Sequence, residues 1–331
     1  MTQSIDRRSF LKLTGQALGA GALYQVGATW GTAPGGRAVL AALGRQNGEA
    51  PQPFSFVQLS DTHVGFQGPP DPLGTRAFEL AVAQINALPR QPELILVTGD
   101  LTHDSDHPGE SLARMRRFQA IAGRLRVKQL HCVPGEHDAG LDGGGLYRSV
   151  FGPSHYAFEH RGVHFIALDK VSLGQPDVGP EQLAWLRQDL ARFALSTPIV
   201  VFTHRPLFDL KPEWEWYTGD GDQVMNLLAP FENVTVLYGH IHRNHVLEQG
   251  HARHFAARSL IFGFPDPATT GARKPLPFDP AAPFKDLGLR RVDLTRPGPE
   301  PVLDVTEVEL RMAEYAGTVG SQQLLKGGDL P

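Results

Sequence analysis

Imidazole and carboxylate side chains concentrate at five points of this chain: Asp61-Thr62-His63, Gly99-Asp100, Gly135-Glu136-His137-Asp138, His204-Arg205-Pro206 and Gly239-His240-Ile241-His242. That donor set suits Zn, Fe or Mn. No thiolate accompanies it, which argues against a structural zinc of the finger type. Asp61 and His63 are two residues apart, so at an extended strand end they project to one side; His240 and His242 do the same. Asp61, His63, Asp100, Glu136, His137, His204, His240 and His242 exceed the roughly four to six ligands of one divalent ion. Two ions roughly 3.5–4 Å apart, sharing a bridging carboxylate, would use them well.

Each cluster follows a short apolar run, at 54–60, 94–98, 129–133, 199–203 and 234–238. These runs are nearly continuous in apolar residues, the pattern of strands buried on both faces. Helical spacing is predicted over 73–88, 112–125 and 180–194, and a hairpin over 156–159 and 164–168 around Arg161-Gly162. Two more strand-like pieces lie between 287 and 308. The alternation makes the chain α/β, with no internal repeat. In open α/β sheets, ligands gather beyond the carboxyl ends of the strands, where these clusters fall.

A chain of 331 residues, 41% hydrophobic and 20% charged, can bury a substantial core. The net charge of -4 argues against a general nucleic-acid binder, which would show a basic stripe. The single cysteine, Cys132, permits no intrachain disulfide and reads as a buried core thiol. At the N-terminus, Arg7-Arg8 precedes Ser9-Phe10-Leu11-Lys12 and a Gly- and Ala-rich stretch. This resembles a bacterial twin-arginine export signal. It implies handling by the twin-arginine machinery and a periplasmic or extracellular destination. Thr14, Gly15 and Gln16 interrupt the apolar stretch, so no stable membrane span is expected after processing. Residues 1–45 are therefore read as signal and linker.

The ordered series D-x-H, G-D, G-E-H-D, His-x-Pro after a strand, and G-H-x-H resembles the calcineurin-like metallophosphoesterase superfamily. The likeness spans roughly residues 54–245. It implies a four-layer α/β/β/α sandwich over 52–312, with 313–331 as a C-terminal tail, and a small phosphoester as substrate. It also implies two metal ions, from Fe, Mn or Zn. Asp61, His63 and His242 would hold the first and His204, His240 and Glu136 the second, with Asp100 bridging. His137 would contact phosphate and protonate the leaving oxygen, with Asp138 orienting its imidazole. A hydroxide bridging the metals would attack phosphorus in line. Purple acid phosphatases have Tyr where His103 stands and Gly where His63 stands, so a tyrosinate–iron site is not expected.

Glu136 departs from the Asn usual in the superfamily. An ionised Glu offers no donor to phosphate, and it lowers the formal charge of the site from about +1 to about zero. A trivalent ion, a less charged substrate such as a phosphodiester, or impaired hydrolysis would each reconcile this. The rival to a phosphoesterase is thus an exported metal-binding or partner-binding protein on a catalytically weakened scaffold. Other residues carry open readings. Trp214, Trp216 and Tyr217 either wall the site or pack their loop on the domain, and packing is preferred. His103, Asp104 and His107 either support the site or lie on the surface. Arg205 either meets a substrate anion or pairs with a nearby acid.

Overall fold

The computed structural model describes residues 50–296 and 302–311; the signal and linker reading of 1–45 and the tail at 313–331 lie outside them. Among the described residues, eleven strands form two sheets. The strands are β1 Phe54–Leu59, β2 Leu94–Thr98, β3 Leu130–Val133, β4 Tyr156–His160, β5 Val163–Ala167, β6 Ile199–Phe202, β7 Val234–Tyr238, β8 His245–Gln249, β9 Ala252–Ala256, β10 Gly288–Arg296 and β11 Val302–Glu309. The helices are α1 Arg76–Asn86, α2 Pro108–Ala122, α3 Glu136–Ala139, α4 Gly145–Phe151, α5 Pro180–Leu190 and α6 Gly221–Leu228. All belong to one compact unit, which takes in the described residues up to Ala191 and from Ser196 onward.

The first sheet has the order β11-β10-β1-β2-β3 and the second β4-β5-β6-β7-β9-β8. β1, β2 and β3 run parallel, as do β5, β6, β7 and β9. Antiparallel β10 and β11 extend the first sheet, and β4 and β8 close the edges of the second. Alternating side chains divide the core. Phe54, Phe56, Leu94 and Leu96 face Phe165, Val200, Phe202 and Leu237 between the sheets. Val57, Leu59, Ile95 and Val97 face helices on the other side. There α2 begins with Pro108, its Glu110 complements the helix dipole, and it buries Met115, Phe118, Ile121 and Ala122 on one face. On the outer face of the second sheet, His164 of β5 meets Asp189 of α5 at 2.6 Å, and α6 packs against α5. The result is the expected α/β/β/α sandwich.

The sequence placed the hairpin, the strands that feed the clusters and the two late strands, but it missed β8, β9, α3, α4 and α6. It also ran α5 past its observed end at Leu190, and placed α2 at 112–125 where it spans Pro108–Ala122. The two sheets are tied near the rim by buried Gln58, whose Nε2 donates to Thr98 Oγ1 and to the Tyr238 carbonyl, each at 3.0 Å. A central strand thus carries a polar residue because two neighbours, one from each sheet, accept from it.

Candidate metal centre

The carboxyl ends of β1, β2 and β3 from one sheet and of β6 and β7 from the other meet at a single rim. The structure brings all seven expected ligand residues together there. Their donor atoms fall into two groups, Asp61, His63, Asp100 and His242, and Asp100, Glu136, His204 and His240, each within 4.8 Å. Asp100 is common to both. One of its oxygens, Oδ2, lies 3.4 Å from His63 Nε2 and 3.3 Å from His204 Nε2. His242 Nε2 stands 3.3 Å from both His63 Nε2 and Asp61 Oδ1. Ligands about 2.1 Å from a tetrahedral ion are spaced by about 3.4 Å, so these separations fit a divalent cation. Glu136 spans the second group, with Oε2 2.9 Å from His204 Nε2 and Oε1 2.7 Å from His240 Nδ1.

The imidazoles are held in the tautomers a cation needs. His204 Nδ1 donates to the Thr98 carbonyl at 2.7 Å, His242 Nδ1 to the Phe262 carbonyl at 2.9 Å, and His240 Nε2 to the Glu215 carbonyl at 3.2 Å. Each leaves its other nitrogen, a lone pair, aimed into the cluster. His204 Nε2 is buried and makes no hydrogen bond despite its two close carboxylates, which is the state of a donor atom poised for a cation. Burial disfavours charge on His204, but without a cation Asp100 and Glu136 overcome it and hold its pKa well above the ordinary value, so a cation binding at Nε2 would displace a proton there. Burial also opposes ionisation of Glu136, and His240 and His204 outweigh it, leaving the carboxyl well below the usual range. Burial pushes His240 down to about 3 and His63 well below its usual value, so both stay neutral and able to ligate.

The backbone here is unusual. Among the described residues, Asp61, His63, Asp100, His240 and His242 all have positive φ, between 39° and 64°. Non-glycine residues rarely adopt this region, and it costs of order 1 kcal/mol or more each. Two glycines permit the close approach of these turns. A Cβ at Gly135 would meet the Asp100 carboxylate, and one at Gly239 the Ser60 hydroxyl and Asp61 carboxylate.

One expected role is corrected. Asp138 does not orient His137: its oxygens accept from the Leu101, Thr102 and Gly135 amides at 2.8–3.0 Å and from Thr102 Oγ1 at 2.8 Å. Burial and the charge of Asp100 raise its pKa to about 6. Four donors saturate the carboxylate, and α3 turns it away from the imidazole that precedes it. His137 Nδ1 instead meets Asp104 Oδ1. Burial opposes charge on His137, but Asp100, Glu136 and Asp104 raise its pKa. Arg205 resolves toward pairing with an acid, its Nη2 3.4 Å from Glu136 Oε1, which offsets the added negative charge. Trp214 and Trp216 are buried, so their loop is packed rather than a wall, and it supplies the Glu215 carbonyl to His240. The His-Asp pair at 103–104, Arg205 beside His204 and the Trp-rich loop hinted at these supports in sequence; backbone carbonyl partners leave no sequence signal at all.

The fold and this cluster define a metal-dependent phosphoester hydrolase. The chain belongs to the calcineurin-like phosphoesterase family, whose sequence profile matches residues 54–244. A probable cyclic nucleotide phosphodiesterase of Synechococcus sp. (strain WH7803) is 29% identical over 73% of this chain and 92% of that protein. A serine/threonine-protein phosphatase of Danio rerio is 28% identical over 58% of this chain and 71% of its own length. The crystal structure of a dimetal phosphatase from Danio rerio shares the fold, with TM-score 0.53 at 16% identity over 78% of this chain and 100% of that one.

Proposed function

We propose that this protein is an exported phosphodiesterase holding two divalent ions drawn from Fe, Mn or Zn. Asp61, His63 and His242 would hold one ion and Glu136, His204 and His240 the other, with Asp100 between them. The observation that carries this reading is the single Asp100 oxygen within 3.4 Å of a histidine from each group. When bound, the ions supply Lewis acidity that lowers the pKa of water and polarises phosphoryl oxygens. The chain's own contribution is positional. His137 stands at the rim with 31% of its side chain exposed, its pKa raised by its carboxylate neighbours, and would donate a proton to the leaving oxygen. Asp104 fixes its ring through Nδ1.

Glu136 favours a diester. Its charge occupies Arg205, so the guanidinium is shared with the protein rather than offered freely to a phosphomonoester dianion. The phosphodiesterase name of a 29% identical relative points the same way. The test is Glu136→Asn, assayed with paired chromogenic mono- and diesters in Mn²⁺ while bound metal is counted. Loss of one nearby charge changes a dianion's interaction by roughly 1–2 kcal/mol and a diester monoanion's by about half as much, so the monoester-to-diester ratio should rise about two- to fivefold. An unchanged ratio at unchanged metal content rejects the charge argument. Metal retention by the wild type without release of any product favours the rival binding protein.

Export is supported by the Arg7-Arg8 signal in the sequence, and no helix among the described residues is long and apolar enough to cross a membrane. Replacing Arg7 and Arg8 with Lys should strand the protein in the cytoplasm of its host. Equal periplasmic yield from both forms would rule out this route.

A further inference from the structure

Three of the four histidines in the two ligand groups hand their outer N–H to a backbone carbonyl, which is a permanent acceptor. His63 is the exception. Its Nε2 faces the cluster, and its Nδ1 lies 3.3 Å from Nδ1 of His103. With Nε2 committed inward as a lone pair, neutral His63 carries its proton on Nδ1, so His103 Nδ1 must accept it. His103 then carries its own proton on Nε2, which faces Asp104 Oδ1 at 3.7 Å, the oxygen that also meets His137 Nδ1. The His103 ring lies along that of His137, with centroids 4.6 Å apart and planes 27° apart.

The placement is built by backbone. The segments leaving β1 and β2 stay hydrogen-bonded beyond the sheet: His63 N donates to Asp100 O at 2.9 Å, Val64 N to Leu101 O at 3.0 Å and His103 N to Val64 O at 3.1 Å. His63 and His103 are thereby fixed side by side however their rings turn. We propose that His103 is the positioning residue of the Asp61–His63–His242 ion site, accepting the Nδ1 proton of His63. This rests on the two-ion reading above.

The experiment is a metal titration of chelator-stripped protein, followed by competition with a chromogenic chelator, so that each equivalent is read without an activity assay. Wild type, His103→Leu and His103→Asn are compared, because Asn places an acceptor oxygen near the position of Nδ1 and Leu places none. Loss of such an outer partner costs roughly 10–100-fold in metal affinity. His103→Leu should weaken one of the two equivalents by that factor and leave the other intact. His103→Asn should restore it to within about threefold. Two wild-type-like equivalents in His103→Leu, or an Asn variant as weak as Leu, overturn the role of His103 while leaving two ions standing. Fewer than two equivalents in the wild type overturns the two-ion reading and this inference together.

Discussion

Two carboxylates lie within reach of the role of holding His137, and hydrogen-bond accounting decides between them. Asp138, the sequence neighbour, accepts from three amides and a hydroxyl and has little capacity left. Asp104 arrives from the loop after β2 and meets His137 Nδ1. The two should therefore fail differently. Asp104→Asn should retain both metals and the wild-type melting temperature while kcat falls about 10–100-fold, the usual worth of a partner that sets an imidazole's basicity and direction. Steady-state kinetics beside metal analysis checks this, and a variant with unchanged kcat would return the role to another group. Glu136 and Arg205 show the same lesson for charge: the side chain that looked like an uncompensated anion in sequence stands beside a guanidinium.

At the level of elements, the site consists of strand ends whose last residues turn back on themselves. Five of the seven expected ligand residues sit at positive φ, so the rim is strained where it is functional. Glycines beside them let segments from the two sheets approach. Gly239 leads His240 and His242 past the end of β1, and His240 N then donates to both oxygens of Asp61 at 3.1 Å. Gly239→Ala should push this turn off Asp61 and cost at least one equivalent of bound metal. The separate sheets should hold, leaving far-ultraviolet circular dichroism unchanged. Full metal stoichiometry in the alanine variant would show that the turn can yield without disturbing the ligands.

Over the whole molecule, burial sets the energetics of the centre. Asp61, Asp100, His204, His240 and His242 are each no more than 4% exposed, and Gln58 locks the two sheets together beneath them. Buried carboxylates this close repel one another, and a cation that binds only the folded state removes that cost. An ion present at about a thousand times its dissociation constant adds about 4 kcal/mol. For a chain of this size that corresponds to roughly 6–8 °C in Tm. Chelation should lower the melting temperature by about that amount per ion, and adding Mn²⁺ or Zn²⁺ should restore it; a chelated protein melting like the loaded one would mean that the cluster holds no resident metal.

By itself the sequence determined the alternation of strands and helices, the five clusters and the donor chemistry they carry. Strand burial and ligand type are written in residue identity and short-range spacing, and the G-D and G-H-x-H turns announce where a strand ends. The strand β8 escaped because none of its residues is buried, and the four-residue α3 is too short to leave a period. Tertiary structure alone decided which partner each side chain met. Asp104 rather than Asp138 reaches His137, Arg205 covers Glu136, and His103 stands behind His63, because the segments beyond β1, β2, β3 and β6 converge only when two sheets stack. Partners contributed by distant strand ends, and above all by backbone carbonyls, have no signature in the order of residues.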